Sequence, residues 1–225
     1  FDTVGWLARD PDLLALVGRS LLGSPWKPID PPSRLLISTD ALDLLAPDIR
    51  QSIMAAVQNV VAGLGLPLEE KIVARGELAE WSELFRRIQG REVWNTHGRW
   101  VLANQPHIGP GVRERYELAA ELSKVAPGPD AKTRSEVRDH MAGLLAEGTL
   151  LIVPSAVGIA PLLNTAAEEL NEWRLKTIML TSIAGLAGLP QVTMPLAELD
   201  GLPIGLSLIG AAGSDELVLA AAMSV

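Results

Sequence analysis

The side chains best suited to chemistry are few, and their spacing argues against most of what they could do. His97, His107 and His140 are the three imidazoles of the chain. A helical metal site needs a second imidazole or a carboxylate one turn away, so that two ligands converge. His97 and His107 have neither at that spacing and His140 stands far along the chain, so the sequence predicts packed or solvent-facing histidines and no metal centre. Lys27, Lys71, Lys124, Lys132 and Lys176 fall in loop, strand-edge or helix-surface contexts, where a solvated ammonium is the ordinary state. The pairs Glu69-Glu70 and Glu168-Glu169 read as solvated faces. The chain has no cysteine, which excludes a thiol nucleophile, thiolate zinc and disulfides together. G-x-S-x-G, H-E-x-x-H, G-x-x-x-x-G-K-[ST] and G-x-G-x-x-G are all missing. These residues therefore carry no assigned catalytic role and imply no cofactor.

One segment has the character of a pocket wall. Leu150 to Val153 reads as a buried strand that runs directly into PSAVGIAP, Pro154 to Pro161. In open α/β sheets ligands settle where the chain leaves the carboxyl end of a strand, and this loop is small-residued and uncharged. A plain connecting loop is the alternative reading.

The elements that would hold such a loop follow from periodicity. Pro11 and Asp12 open a helix with Leu13, Leu14, Val17 and Leu21 on one face. Gly23 to Ser33 carries four prolines and reads as loop. RLLIS at Arg34 to Ser38, a helical pattern at Pro47 to Ala62 and a short strand at Glu70 to Ala74 give the order of a βαβ crossover. Gly76 to Asn104 reads as one or two helices, with a stripe of Trp81, Leu84, Phe85 and Ile88 continued by Trp94 and His97. Trp100 lies off that stripe. A charged helix is expected in Pro110 to Ala126, and further helices with capping boxes at Thr133/Glu136 and Thr165/Glu168. Gly185, Gly188 and Pro190 stop the helix that passes through Ile178 to Ile183. Gln191 to Leu196 and Leu202 to Ile209 then form a hairpin around Asp200-Gly201, with Pro195 and Pro203 at ladder-free positions. Ser214 to Glu216 start a last helix. The fold class is α/β, a mixed β-sheet covered by helices.

Composition narrows the partners. The net charge of -8 disfavours a nucleic-acid partner, because duplex binding draws on Lys and Arg. Apolar residues make up 48% of the chain, yet Pro and Gly interrupt every apolar run before the ~20 residues of a membrane span. No membrane partner is expected, and the cytoplasm is the default location.

Two stretches carry a family resemblance. FDTVGWLARDPDLL at residues 1 to 14 resembles the D-T-V-G-x-x-A-R-D segment of the amidase signature family. GLAGLPQVTMPLAELDGLPIGLSLIGAAGSDELVLAAA at residues 185 to 222 is similar to that family's carboxyl-terminal run. Glu92 to Trp100, E-x-W-x-x-H-G-x-W, resembles the bacterial and plant subgroup that includes indoleacetamide-type hydrolases. The resemblance implies a large mixed sheet wrapped by helices, and hydrolysis of a small-molecule amide by a Ser, cis-Ser and Lys triad. In the family those three residues precede the D-T-V-G segment. Residues 1–225 are thus expected to be the C-terminal portion of a single amidase domain, completed by an N-terminal part of the same protein, with a homodimer as an allowed assembly. The resemblance makes Val157 and Ile159 acyl-side contacts, with Trp94 and Trp100 as further substrate-binding positions. A second class stays open, an amidase-like docking module whose serines are lost.

Overall fold

The computed structural model describes residues 1, 3–23, 30–75 and 77–225. Part of the proline-rich loop, Lys27, and the Gly76 start of the long helix fall outside them. The element order is α1 (Pro11–Leu21), β1 (Arg34–Ser38), α2 (Thr39–Leu42), α3 (Pro47–Leu64), β2 (Leu68–Lys71), α4 (Leu78–Asn104) and α5 (Arg113–Lys124). There follow α6 (Asp130–Leu144), β3 (Thr149–Pro154), α7 (Ala167–Ala187), β4 (Gln191–Leu199), β5 (Leu202–Ile209) and α8 (Asp215–Ala222).

The five strands form one mixed sheet in the order β2-β1-β3-β5-β4. β1 lies parallel to β2 and β3, whereas β5 runs antiparallel to both β3 and β4. Strand alternation divides the core into two layers. Leu35, Ile37, Leu150, Ile152, Leu206 and Leu208 face α3 and α8. Leu36, Leu151, Val153 and Ile209 face α4, α6 and α7. All six residues of β3 are buried, as a strand covered on both faces requires.

Several boundaries differ from the sequence expectation, each for a local reason. β2 ends at Lys71 because the N–H groups of Val73 and Ala74 donate to the Asp40 carboxylate, at 3.1 and 2.7 Å, instead of to a neighbouring strand. α4 is one helix straight through Gly90. A side chain there would meet Leu122 of α5 at 2.6 Å, so glycine is what lets the two helices close. α7 likewise passes through Gly185, whose bare face receives the Phe85 ring, and ends only at Gly188 in the left-handed conformation. Neither expected capping box forms. α6 starts three residues before Thr133, at Asp130, whose carboxylate meets both Arg87 (3.0 Å) and Arg91 (2.5 Å). α7 starts at Ala167 with no side-chain cap, and the Thr165 N–H instead closes a turn onto Leu162 O.

The hairpin matches its expectation. Asp200 and Gly201 both have positive φ, 53° and 76°, as a tight two-residue turn demands. Pro195 lies in an irregularity between Met194 and Ala197. Pro203 stands opposite Glu198, whose N–H and C=O go to Ser52 Oγ of α3, at 3.1 and 2.6 Å, so no ladder bond is asked of the proline. The same contact blunts the β4 edge against pairing with another chain.

Arg34 of β1 grips Glu69 of β2 through two bonds of 2.8 Å, and this holds the Glu69 carboxyl at about 2, below its ordinary 4.5. A carboxylate with a depressed folded pKa stabilises fully above its unfolded value and loses that contribution as pH falls toward the folded one. The stability difference between wild type and Glu69→Gln should therefore be constant above about pH 5.5 and shrink from about pH 4.5 to 2. Chemical denaturation across that range measures it. Added salt should shrink the difference too, because both side chains are partly exposed.

Candidate functional site

The carboxyl ends of the parallel strands β1, β2 and β3 share one rim of the sheet. At β1 the Ser38 hydroxyl accepts from Ala41 N (3.3 Å) and donates to Asp40 Oδ1 (2.6 Å), while Asp40 holds the chain leaving β2. Thr39 Oγ1 adds a bond to Lys71 O at 3.2 Å. His140 of α6 faces Val73 O through Nε2 at 2.8 Å, so Nε2 carries the proton and Nδ1 is left toward Arg75, 3.5 Å away. A groove of about 630 Å³ opens here between α4 and α6, lined by Arg75, Trp81 and His140 among others.

At β3 the chain passes through Pro154 into the loop singled out from the sequence. Ser155 N–H donates to Gly205 O at 3.0 Å, tying the loop to β5. Val157 is half-buried and touches both core layers, Ile159 packs on the α3 side, and Gly158 lies against Ile49. On the adjoining part of the β4–β5 pair, Thr193 Oγ1 and Ser207 Oγ are 2.8 Å apart and Gln191 Nε2 donates to Ser207 Oγ at 2.9 Å. Ser207 is fully buried, whereas Thr193 is exposed.

The structure thus brings Val157 and Ile159 together at the rim. It sets the tryptophans elsewhere. Trp94 folds over Gly98 of its own helix and walls a groove of about 330 Å³ between α4 and α5, whose lining has no residue of the 154–161 loop. Trp100 lies outside that groove and is 55% exposed. His97 meets Tyr116 edge to face, and among the described residues no three His, Asp or Glu side chains are placed to hold a metal ion. Lys124, Lys132 and Lys176 make surface pairs with Glu121, Glu136 and Glu172, and Lys71 stands 3.6 Å from Glu69. Sequence reasoning overlooked Asp40, Ser155, Gly205 and Ser207. Counted from the Asp200-Gly201 turn alone, Thr193 would face Leu208; the irregularity between Met194 and Ala197 shifts the register by one and puts it opposite Ser207, and Asp40 is found only once β1 and β2 are paired.

These features match known proteins along nearly the whole chain. Residues 112–219 fit the family model described as Amidase. Amidase 1 of Arabidopsis thaliana is 31% identical across 97% of the chain. The chain belongs to the amidase signature family. It spans 58% of the length of that relative, a little over half. A solved structure described as an amidase superposes on 96% of the chain with a TM-score of 0.81 at 22% identity, and the chain covers 50% of it, which establishes the amidase fold. Other members are named differently. Translocon at the outer membrane of chloroplasts 64 from Pisum sativum is 25% identical over 97% of the chain, which covers 41% of it. Among the described residues no helix is long and apolar enough to cross a membrane.

Asp40 is the polar keystone of this rim in the amidase fold seen here. Val73 and Ala74 are buried, so Asp40→Ala should leave their N–H groups unsatisfied and lower stability by about 1–3 kcal/mol. Amide exchange at Val73 and Ala74 should accelerate well before global unfolding. Unchanged protection at those two amides would remove Asp40 from the account.

Proposed function

We propose that residues 1–225 are the carboxyl-terminal part of an amidase domain that hydrolyses a neutral carboxamide. The chain supplies the sheet, its helical cover and one wall of the acyl pocket. The Ser, cis-Ser and Lys centre lies in residues outside 1–225 of the complete protein, and the chain alone is inactive toward amides. The observation that carries this reading is the 31% identity to Amidase 1 over 97% of the chain, which includes the rim loop.

In this proposal Val157 and Ile159 are the apolar wall. Both are half-buried, so each keeps part of its surface for a ligand while the rest is anchored in the core. An apolar group covering ~100 Å² of such a wall would gain about 2.5 kcal/mol. An unpaired carboxylate placed there would lose several kcal/mol. The substrate is therefore a neutral aromatic or aliphatic amide. Trp94 and Trp100 enter as outer aromatic contacts on α4, met by a substrate that extends beyond the loop. The location proposed is the cytoplasm.

A second reading is favoured by one observation. Relatives named as chloroplastic and mitochondrial outer envelope proteins match 97% and 100% of the chain at 25% and 28% identity, so related sequence is found in proteins named for another role. In that reading the complete protein is a docking module without the serines and lysine.

Kinetics of the complete protein separate the two. Turnover of a neutral arylacetamide is expected, and Ile159→Asp should lower kcat/KM at least tenfold with a stability loss of about 1–2 kcal/mol. Absence of turnover in wild type favours the docking module. Turnover that is indifferent to Ile159→Asp moves the loop from the pocket to the scaffold.

A further inference from the structure

The rim loop contains one hydroxyl, that of Ser155, and the backbone of this residue is tied to β5. Its N–H is bonded to Gly205 O at 3.0 Å. Its Oγ stands where a side chain of residue 205 would begin: a Cβ built on Gly205 lies 2.0 Å from Ser155 Oγ, 3.1 Å from Ser155 Cβ and 2.9 Å from Thr193 Cγ2. That is the closest such approach among the described glycines. The backbone of Gly205 does not require glycine for its φ, so the small residue is there for room, not for a turn.

Room at this position has a directional consequence. Gly205 and Ser207 alternate on one face of β5, and Thr193 sits opposite Ser207 on the same face of β4. Ser155 Oγ therefore lies beside the exposed Thr193, at a half-buried part of that face where Ser155 and Gly205 both keep some access to solvent. Among the described residues its hydroxyl has no hydrogen-bond partner, while the Thr193 and Ser207 hydroxyls bond each other. No titratable group belongs to this set. A lone hydroxyl can donate to a carbonyl oxygen or accept from an amide N–H, and it carries no charge with which to pair an ionised group.

The geometry points to Ser155 as the hydroxyl that hydrogen-bonds the substrate carboxamide, with Gly205 as the positioning residue that makes space for it. This rests on the amidase reading above and adds to it the polar half of recognition: an apolar group on Val157 and Ile159, and a neutral amide on Ser155. Gly205 acts only through Ser155. A methyl group at 205 would press on Ser155 Cβ and Thr193 together, so rotation of the hydroxyl alone would not relieve it.

The test uses the complete protein, with phenylacetamide as the probe, and reads both calorimetric binding and steady-state kinetics. Ser155→Ala should raise Kd and KM about 3- to 10-fold, the loss expected for one neutral hydrogen bond, with kcat moving less. Ser155→Thr, which keeps the hydroxyl, should stay within about threefold of wild type on the same scale. Gly205→Ala should weaken binding in the same direction, and the double variant should be no weaker than Gly205→Ala alone, because both changes remove one contact. If Gly205→Ala does not fold, the Ala and Thr variants at 155 decide. Ser155→Ala equal to wild type, or Ala and Thr equally impaired, overturns the assignment and leaves the amidase reading standing. Wild type that neither binds nor turns over phenylacetamide overturns both.

Discussion

The fold depends on one strand buried on both faces. β3 is where the sheet changes direction, parallel to β1 on one side and antiparallel to β5 on the other. Its alternating Leu150, Leu151, Ile152 and Val153 supply one residue after another to opposite core layers. Burying each such side chain is worth about 1.5–3 kcal/mol, and truncating one to alanine costs about 2–5 kcal/mol once the cavity is counted. β1 joins the same two layers through Leu35 and Ile37 on one side and Leu36 on the other, but among the described strands β3 alone lies between a parallel and an antiparallel neighbour. The loop that leaves β3 is consequently rigid at its root, which is the condition for a binding wall to hold its shape.

Polar side chains act where the ladder stops. Asp40 ends β2 by taking its next two N–H groups, Ser52 occupies the free edge of β4, and Arg34 clamps Glu69 across the β1–β2 pair. Each satisfies backbone or charge that the sheet would otherwise leave open. Small residues act in the complementary way. Gly90, Gly185 and Gly205 lie inside regular elements, where glycine is weakly unfavourable, and each stands where a side chain would collide with Leu122, Phe85 or Ser155. The glycines of this chain thus mark close contacts as often as they mark turns.

That double use of glycine explains what was legible in the sequence. The βαβ unit, the hairpin, its Asp200-Gly201 turn and the terminal helix follow from periodicity and turn chemistry, which are local. Gly185 misled as a helix stop because its reason is Phe85, a hundred residues away in sequence. The capping boxes at Thr133 and Thr165 misled because the Asp130 ion pairs and a turn at Leu162 set the helix starts. Of the candidate site, the position of the loop was legible and so were its apolar members. Ser155 was hidden, because its setting is made by a strand fifty residues downstream. Trp94 and Trp100 were grouped by residue type, although on one helix they point to different surroundings.

The central claim is that ligand meets this protein at the loop after β3. Hydrogen–deuterium exchange of the complete protein tests it directly, with and without saturating phenylacetone, the ketone isostere of the amide. The account expects slowed exchange in residues 155–159 and at the adjoining 205–207 segment, with α5 unaffected. Protection confined to α4 and α5, or no change at the loop when binding is saturated, would contradict it.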